Sequence, residues 1–243
     1  MISAETEERL RRLLNEQPSY RPDPDSTAQI VSKDVWCFVG ASCMGKTTIM
    51  QELLKLDSLC GEFVVFTSRE PRPEDNTTRY SYYEHSDEGL AELLDRIERK
   101  RVLQYNINPY SLLIYGSEAS GYLYRYNIGD IFASSIDGFR QLGFKSVRVV
   151  SVITNFHDWQ HRFNLRFPPG DSRRKARLLE ASSSLRWSLS QADSPDHYWL
   201  TNDHTPDAVA HDLLNTLALS PTPDPTAVAL AQDCLRGIEE LAA

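Results

Sequence analysis

Two hydrophobic patterns follow one another along the chain: short continuous apolar runs and helical stripes. The run from Val35 to Val39 is typical of a strand that is buried on both faces. After Ser86, the residues Leu90, Leu93, Leu94 and Ile97 recur with helical spacing and predict an amphipathic helix that begins at a serine cap. Further strands are predicted over 63–67, 102–105, 112–115, 130–135, 147–153 and 198–200. Further helices are predicted over 4–16, 48–54, 139–142, 159–166, 173–189, 206–217 and 226–241.

The order of these elements predicts the fold class. Strands that alternate with helices favour an α/β protein with a mostly parallel sheet. Two proline-containing stretches, 17–25 and 220–225, are predicted to be linkers. The predicted organisation is therefore an N-terminal helix and linker over 1–33, a central domain over 34–219, and a linker with a C-terminal helix over 220–243.

Composition narrows the classes of partner. The chain has 243 residues and a formal net charge of −8, which argues against a broad nucleic-acid surface. No apolar run approaches the roughly 18 residues of a membrane span, and the charged N-terminus does not look like a signal peptide. The four cysteines lack metal-ligand spacing, so reduced thiols and a cytoplasmic location are expected. The oligomeric state stays open.

One motif carries specific chemistry. A glycine-rich G-x-x-x-x-G-K-T stretch lies between a predicted strand and a predicted helix, the context of a phosphate-binding loop. Such a loop turns backbone amides and a helix N-terminus toward the phosphates of a nucleoside triphosphate. Lys46 is expected to reach the β and γ phosphates, and the Thr47 hydroxyl to bind Mg²⁺. The predicted nucleotide-binding residues are Gly40, Ala41, Ser42, Cys43, Met44, Gly45, Lys46, Thr47 and Thr48.

The next segment suggests a second substrate. The sequence T-S-R-E-P-R-P-E over 67–74, followed by Y-S-Y over 80–82, resembles the acceptor-binding stretch of guanylate kinases. The family's glycine is missing, but Glu74 and Tyr80 keep the family's six-residue interval. Arg69 and Arg72 suit a dianionic phosphate, because guanidinium groups donate two parallel hydrogen bonds to such an anion.

Further motifs of the resemblance follow in order between residues 34 and 217. Leu103-Gln104 and Tyr115-Gly116-Ser117 are similar to the family's acceptor-pocket motifs. Three arginines resemble those of the family's mobile lid, where cations neutralise the transferring phosphoryl group. Asn202 is similar to a residue beside the donor adenine. The resemblance thus implies catalytic roles for Lys46, Arg166 and Arg177, ATP contacts from Arg162 and Asn202, and acceptor contacts from Arg69, Arg72, Glu74, Tyr80, Gln104, Tyr115, Ser117 and Asp137.

The residues that read the acceptor base depart from the family. Guanylate kinases use two carboxylates for the guanine edge, and the first is replaced here by the amide of Gln104, or of Asn106 in a shifted alignment. For the second, an ungapped alignment gives Ala133 and Ser135, whereas a two-residue deletion gives Asp137. An amide accepts the guanine N–H donors less strongly than a carboxylate does.

The resemblance implies a three-layer P-loop kinase fold with an acceptor-binding part over about 68–127 and a helical lid over about 162–177. It implies transfer from ATP, with Mg²⁺, to a nucleoside monophosphate, by default GMP. One alternative is a kinase for another small phosphate, such as a ribose bisphosphate. The other is a non-catalytic module that binds proteins, although such relatives generally lose the loop lysine or glycines, which this chain keeps. A GTPase is not favoured, because the chain has no N-K-x-D motif.

Overall fold

The computed structural model describes residues 2–72, 75, 78–217, 222 and 224–242. Within these residues the strands are β1 Asp34–Val39, β2 Cys60–Glu62, β3 Val65–Thr67, β4 Tyr80–Tyr82, β5 Gln104–Ile107, β6 Ile114–Ser117, β7 Tyr126–Asp130, β8 Ser146–Ile153 and β9 His197–Thr201. The α-helices are α1 Ala4–Glu16, α2 Pro24–Ala28, α3 Lys46–Leu56, α4 Asp87–Glu98, α5 Ile136–Gln141, α6 Phe156–Arg166, α7 Arg174–Ser190, α8 Pro206–Leu217 and α9 Pro225–Ala242.

A five-stranded sheet with the order β2-β7-β1-β8-β9 forms the centre of the α/β fold. The sheet is mostly parallel and has helices on its flanks, which confirms the predicted fold class. All six residues of β1 are buried, as expected for a strand covered on both faces. Strands β8 and β9 run parallel, with Val149 opposite His197 and Ile153 opposite Thr201.

The chain divides into two compact units. The first comprises Met1–Lys33, Gly61–Asn127 and Gly138–Ser146, and the second comprises Asp34–Cys60, Ile128–Asp137 and Val147–Ala243. The N-terminal segment thus packs within the first unit. The domain boundaries that the sequence suggests stay a prediction.

In the first unit, a four-stranded sheet with the order β4-β3-β6-β5 packs one face against helices. The predicted stripe of α4 is buried, and the Ser86 hydroxyl caps the helix by accepting from the Gly89 amide at 3.1 Å. Helix α1 buries Leu10 and Leu13 in the same apolar cluster as α4. The Tyr105 hydroxyl donates to the Leu13 carbonyl at 2.9 Å, so the N-terminal helix is an integral part of this core.

In the second unit, α3 contacts α8, and the C-terminal helix α9 contacts α6 and α7. Gly237 permits a close approach of α9, because a Cβ there would lie 2.5 Å from the Phe156 ring. An ion pair between Arg186 and Glu239 joins α7 to α9 at 2.6 Å. Across the described part of the chain, no helix is both long and apolar enough to span a membrane.

Two strand predictions were wrong. The apolar run over 63–67 is not one strand, because only Val65–Thr67 pairs in the four-stranded sheet while the separate strand β2 ends at Glu62. The strand predicted over 130–135 ends at Asp130, because residues 133–135 turn into a 3₁₀ helix. The predicted linker over 17–25, whose role stays a prediction, contains a short 3₁₀ helix and the start of α2, where Asp23 accepts a hydrogen bond from the Ser26 amide at 2.7 Å.

Candidate functional site

The predicted phosphate loop connects β1 to α3 in the second unit, as strand–loop–helix. Its turns need unusual backbone angles: φ is 143° at Gly40, 98° at Gly45 and 73° at Cys43. A Cβ at Gly40 would lie 2.7 Å from the Val152 carbonyl oxygen of β8. Glycine at this position therefore allows the loop to approach the neighbouring backbone closely.

Two side chains hold the loop by its carbonyl groups. The Trp159 indole donates to the Ser42 carbonyl at 2.9 Å, and the Asn202 amide donates to the Met44 carbonyl at 2.8 Å. In a trans peptide the next N–H points away from the preceding carbonyl. The amides of Cys43 and Gly45 are therefore turned away from Trp159 and Asn202, as an anion-binding loop requires.

Asn202 is itself fixed by its position after β9. Its backbone amide donates to the Ile153 carbonyl at 2.7 Å, and its carbonyl accepts from the Thr154 hydroxyl at 3.0 Å. The residue is buried. The structure thus gives Asn202 a contact with the loop backbone, while its predicted role beside the donor adenine stays a prediction. Trp159 was assigned only to a helix from the sequence, since nothing in the pattern links it to the loop.

Lys46 is the charged centre of the loop. Its side chain is buried, and its ammonium donates to the Gly40 carbonyl at 2.6 Å and to the Ala41 carbonyl at 3.1 Å. The Asp130 carboxylate lies 3.7 Å from the same ammonium. Asp130 is the last residue of β7, next to β1 in the sheet. A strand-end carboxylate is thus present beside the loop lysine, at a residue that the sequence motifs did not single out.

The oxygen groups near Lys46 suit Mg²⁺. Thr47 and Thr48 are exposed in the first turn of α3, and the Asp130 side chain is about two-fifths exposed, at 39%. No group of three acidic, cysteine or histidine residues among the described residues forms a closed metal cage. Mg²⁺ is usually held by one or two protein oxygens together with water and substrate phosphates. The Thr47 hydroxyl and the Asp130 carboxylate fit that chemistry.

The predicted lid arginines occupy the end of α6 and the start of α7. Arg162 is half-buried, and its guanidinium would lie 3.7 Å from a Cβ placed at Gly45. Burial raises the pKa of the Cys43 thiol, and the positive charge of the exposed Arg166 opposes this shift. Arg177 forms an ion pair with Glu180 on its own helix. Arg162 and Arg166 thus lie near the loop, whereas a catalytic role for Arg166 or Arg177 stays a prediction.

Four of the eight predicted acceptor residues lie on one face of the four-stranded sheet in the first unit: Tyr80, Gln104, Tyr115 and Ser117. The pairing places Tyr80, Val65, Ser117 and Gln104 in one row and Tyr82, Thr67, Tyr115 and Asn106 in the next. Since side chains alternate along strands, these two rows share a face. Phe66 and Tyr105 point to the opposite face, within the apolar cluster. Both candidates for the missing base-reading carboxylate, Gln104 and Asn106, therefore lie on the same face.

Hydrogen bonds orient the amide of Gln104. Its nitrogen donates to the Ser117 hydroxyl at 3.3 Å, and that hydroxyl bonds to the Tyr122 hydroxyl at 2.8 Å. One N–H of the Gln104 amide is thus directed to a buried neighbour, and the amide keeps a second N–H donor and a carbonyl acceptor. Asp137 lies in the second unit, exposed in the first turn of α5. Glu74 lies outside the described residues.

Arg69 is held in a buried ion pair. Its two terminal nitrogens donate to the two oxygens of Asp75 at 2.6 and 2.7 Å, and both side chains are less than a tenth exposed. The Tyr82 hydroxyl donates to Asp75 at 2.6 Å, and the Arg72 amide donates at 2.7 Å. The guanidinium lies 4.9 Å from the ring centre of Tyr80. Arg72 itself is exposed.

The Arg69–Asp75 pair predicts a pH dependence of stability. The Arg69 hydrogen bonds, with help from Tyr82 and the Arg72 amide, hold the pKa of Asp75 well below its usual range. A carboxyl whose pKa is lower in the folded state adds stability above its unfolded pKa of about 3.9, and this stability is lost as the pH falls further. We expect wild type to lose stability more steeply than Asp75→Asn below about pH 4. Denaturant midpoints at pH 7, 4 and 3 measure the difference, and parallel curves would contradict it.

Comparison with known proteins gives similarity in structure and none in sequence. No protein-family model matches the chain, and no curated protein matches its sequence. Among solved structures, the chain is similar to guanylate kinase from Anaplasma phagocytophilum, with 15% identity and a TM-score of 0.49. The match covers 78% of this chain and 86% of that chain. At this level of similarity, any function has to be argued from the residues themselves.

Proposed function

We propose that the protein is an ATP-dependent phosphotransferase that acts on a small phosphate monoester, by resemblance a nucleoside monophosphate such as GMP. The observation that carries the proposal is the loop around Lys46. A buried ammonium is held on two loop carbonyls, 3.7 Å from a strand-end carboxylate, at the start of a helix. This is the arrangement that phosphate-loop enzymes use to bind and polarise the terminal phosphates of a nucleotide.

The proposed reaction needs no general base. An oxygen of the acceptor phosphate forms a bond to the γ-phosphorus of ATP, and the bond from that phosphorus to the β,γ-bridging oxygen breaks. The products are ADP and an acceptor that carries a diphosphate. The task of the protein is to position both substrates and to stabilise negative charge. Lys46 contributes a fixed cation, and Arg166 and Arg177 are proposed to contribute others.

Thr47 and Asp130 would hold Mg²⁺ in this proposal. The metal, when bound, would neutralise charge on the β and γ phosphates. The protein's own oxygen atoms would fix its position, with the Thr47 hydroxyl as a ligand and the Asp130 carboxylate in contact with its water.

A second acceptor class is favoured by one specific observation. This face of the four-stranded sheet carries amides and hydroxyls at paired positions, and one N–H of Gln104 donates to Ser117. A neutral carbonyl accepts from sugar hydroxyls as well as from a base. A ribose bisphosphate is therefore the alternative to GMP.

The test is an ADP-release assay with ATP and Mg²⁺ against GMP, dGMP, AMP, UMP and ribose 1,5-bisphosphate. We expect turnover with one class of acceptor, lost in Lys46→Met. Turnover of ribose 1,5-bisphosphate alone would select the alternative acceptor. Absence of both turnover and ATP binding would overturn the proposed phosphotransferase function and favour a non-catalytic protein-binding module.

A further inference from the structure

We propose that Asp75 is an internal anion that competes with the acceptor phosphate for Arg69, so that it sets the affinity and charge selectivity of the acceptor site. The proposal rests on the proposed function for the identity of the ligand. Its structural basis is the Arg69–Asp75 pair, in which a carboxylate already occupies the end of the guanidinium that suits a phosphate.

The hydrogen-bond donors of Arg69 show why the two anions exclude each other. The Arg69 nitrogen Nη1 donates to Asp75 and also to the Glu70 carbonyl at 2.9 Å, while Nη2 donates to the second oxygen of Asp75. A bidentate phosphate on Nη1 and Nη2 therefore requires Asp75 to leave. If Asp75 stays, the phosphate meets an adjacent negative charge in a site with little solvent to screen it.

Asp75 has two hydrogen-bond donors besides Arg69, the Tyr82 hydroxyl and the Arg72 amide. Both donate to Oδ2, the oxygen that also accepts from Arg69 Nη1. Displacement of the carboxylate therefore requires these donors to move with Asp75 or to release it. Meanwhile Arg69 is kept in place by the Glu70 carbonyl and by the ring of Tyr80, at 4.9 Å. The pair therefore behaves as an exchange site, in which the guanidinium stays and the anion changes.

Exchange favours ligands of high charge. An anion must bind Arg69 better than Asp75 does, and a dianionic phosphate monoester does so better than a carboxylate or a monoanion. Since the second pKa of a phosphate monoester is about 6, affinity should fall as the pH drops below that value. The carboxylate of Asp75 keeps its charge there, because Arg69 holds its pKa well below the usual range.

The experiment measures binding of inorganic phosphate to the full chain in a Lys46→Met background, which weakens binding at the phosphate loop. In that background, adding Asp75→Asn should tighten phosphate binding by about tenfold or more, because the competing charge is removed while the side-chain shape is kept. Arg69→Ala should weaken binding, and the gain from Asp75→Asn should vanish when Arg69 is also alanine. Unchanged or weaker binding in Asp75→Asn would overturn the proposal, as would a gain that persists without Arg69.

The matched control is Glu62→Gln. Glu62 pairs with Arg79 at 3.1 Å in the same unit, and both side chains are about as buried as those of Arg69 and Asp75, at 11% exposure each. This variant removes a comparable charge and should leave phosphate affinity unchanged. An equal gain in the control would show that any lost carboxylate raises anion affinity, which would contradict a specific exchange at Arg69.

Kinetics separate the two proposals. In the ADP-release assay with the lysine intact, Asp75→Asn should lower the KM for the acceptor by a similar factor, whereas kcat should change little. If no acceptor is turned over but phosphate binding responds to Asp75 as described, the proposed kinase fails and the exchange at Arg69 stands. If turnover is found and neither phosphate binding nor KM responds, the exchange fails and the kinase stands.

Discussion

Lys46→Met is expected to reduce kcat for phosphoryl transfer by about 10² to 10³-fold or more, the cost of losing one fixed charge-stabilising donor in an active site. The variant should still fold. Methionine has nearly the length of the lysine stem, and the nearby Asp130 carboxylate is partly exposed to water, so it is not left buried without a partner. Steady-state ADP release, together with a denaturant midpoint, measures both effects.

Lys55→Met is the matched control for this prediction. Lys55 lies on the same helix α3, but its side chain is exposed and pairs with Glu52 at 2.7 Å. The control should keep full activity, because an exposed pair contributes little and does not contact the loop. Retention of activity in Lys46→Met would remove the loop lysine from the proposed mechanism.

Asp130 shows why part of the candidate site was missed from the sequence. The apolar residues Ile131 and Phe132 extend the hydrophobic run past Asp130, so the strand was predicted to continue to Ser135. In the structure, the run ends because the chain turns into a 3₁₀ helix, although the Ile131 amide still donates to the Phe38 carbonyl at 2.9 Å. Hydrophobicity does not encode that turn. The carboxylate beside Lys46 could therefore be identified only from the three-dimensional contact.

Asp75 was missed for a different reason. The sequence motif directed attention to Glu74, because its distance from Tyr80 matches the family's interval. An ion pair across six residues depends on the path of the loop, which neither helical nor strand periodicity describes. The structure joins Arg69 to Asp75, and this contact changes the expected behaviour of the acceptor arginine.

Elements with strong local signals were predicted well. Helix α4 has a serine cap and four apolar residues at helical spacing, and its predicted start and buried face are confirmed. The strand before the phosphate loop is also confirmed, since a buried apolar run next to a glycine turn leaves few alternatives. Local chemistry thus predicted the elements, whereas the partners of their polar side chains needed the fold.

Gly45→Ala is expected to destabilise the phosphate loop strongly, because the added methyl group collides with the side chain of Asn202. A Cβ at Gly45 would lie 2.2 Å from the Asn202 amide nitrogen, which is hydrogen-bonded to the Met44 carbonyl. Moving Asn202 breaks a buried hydrogen bond, which lowers the free energy of unfolding by about 1–3 kcal/mol. The positive φ at residue 45 costs an alanine a further strain energy of about 1 kcal/mol or more. Denaturant unfolding and ATP titration measure the lost stability and affinity.

Gly170→Ala separates the cost of backbone strain from the cost of the collision with Asn202. Gly170 has φ of 92°, close to the 98° of Gly45, but a Cβ there would meet nothing within 4 Å. Gly170→Ala should therefore show the strain alone and leave ATP affinity unchanged. In an Asn202→Ala background, the effect of Gly45→Ala on stability should fall to that of Gly170→Ala, because the residue that is struck has been removed. Equal losses for Gly45→Ala and Gly170→Ala in the wild-type background would show instead that Asn202 does not constrain the loop.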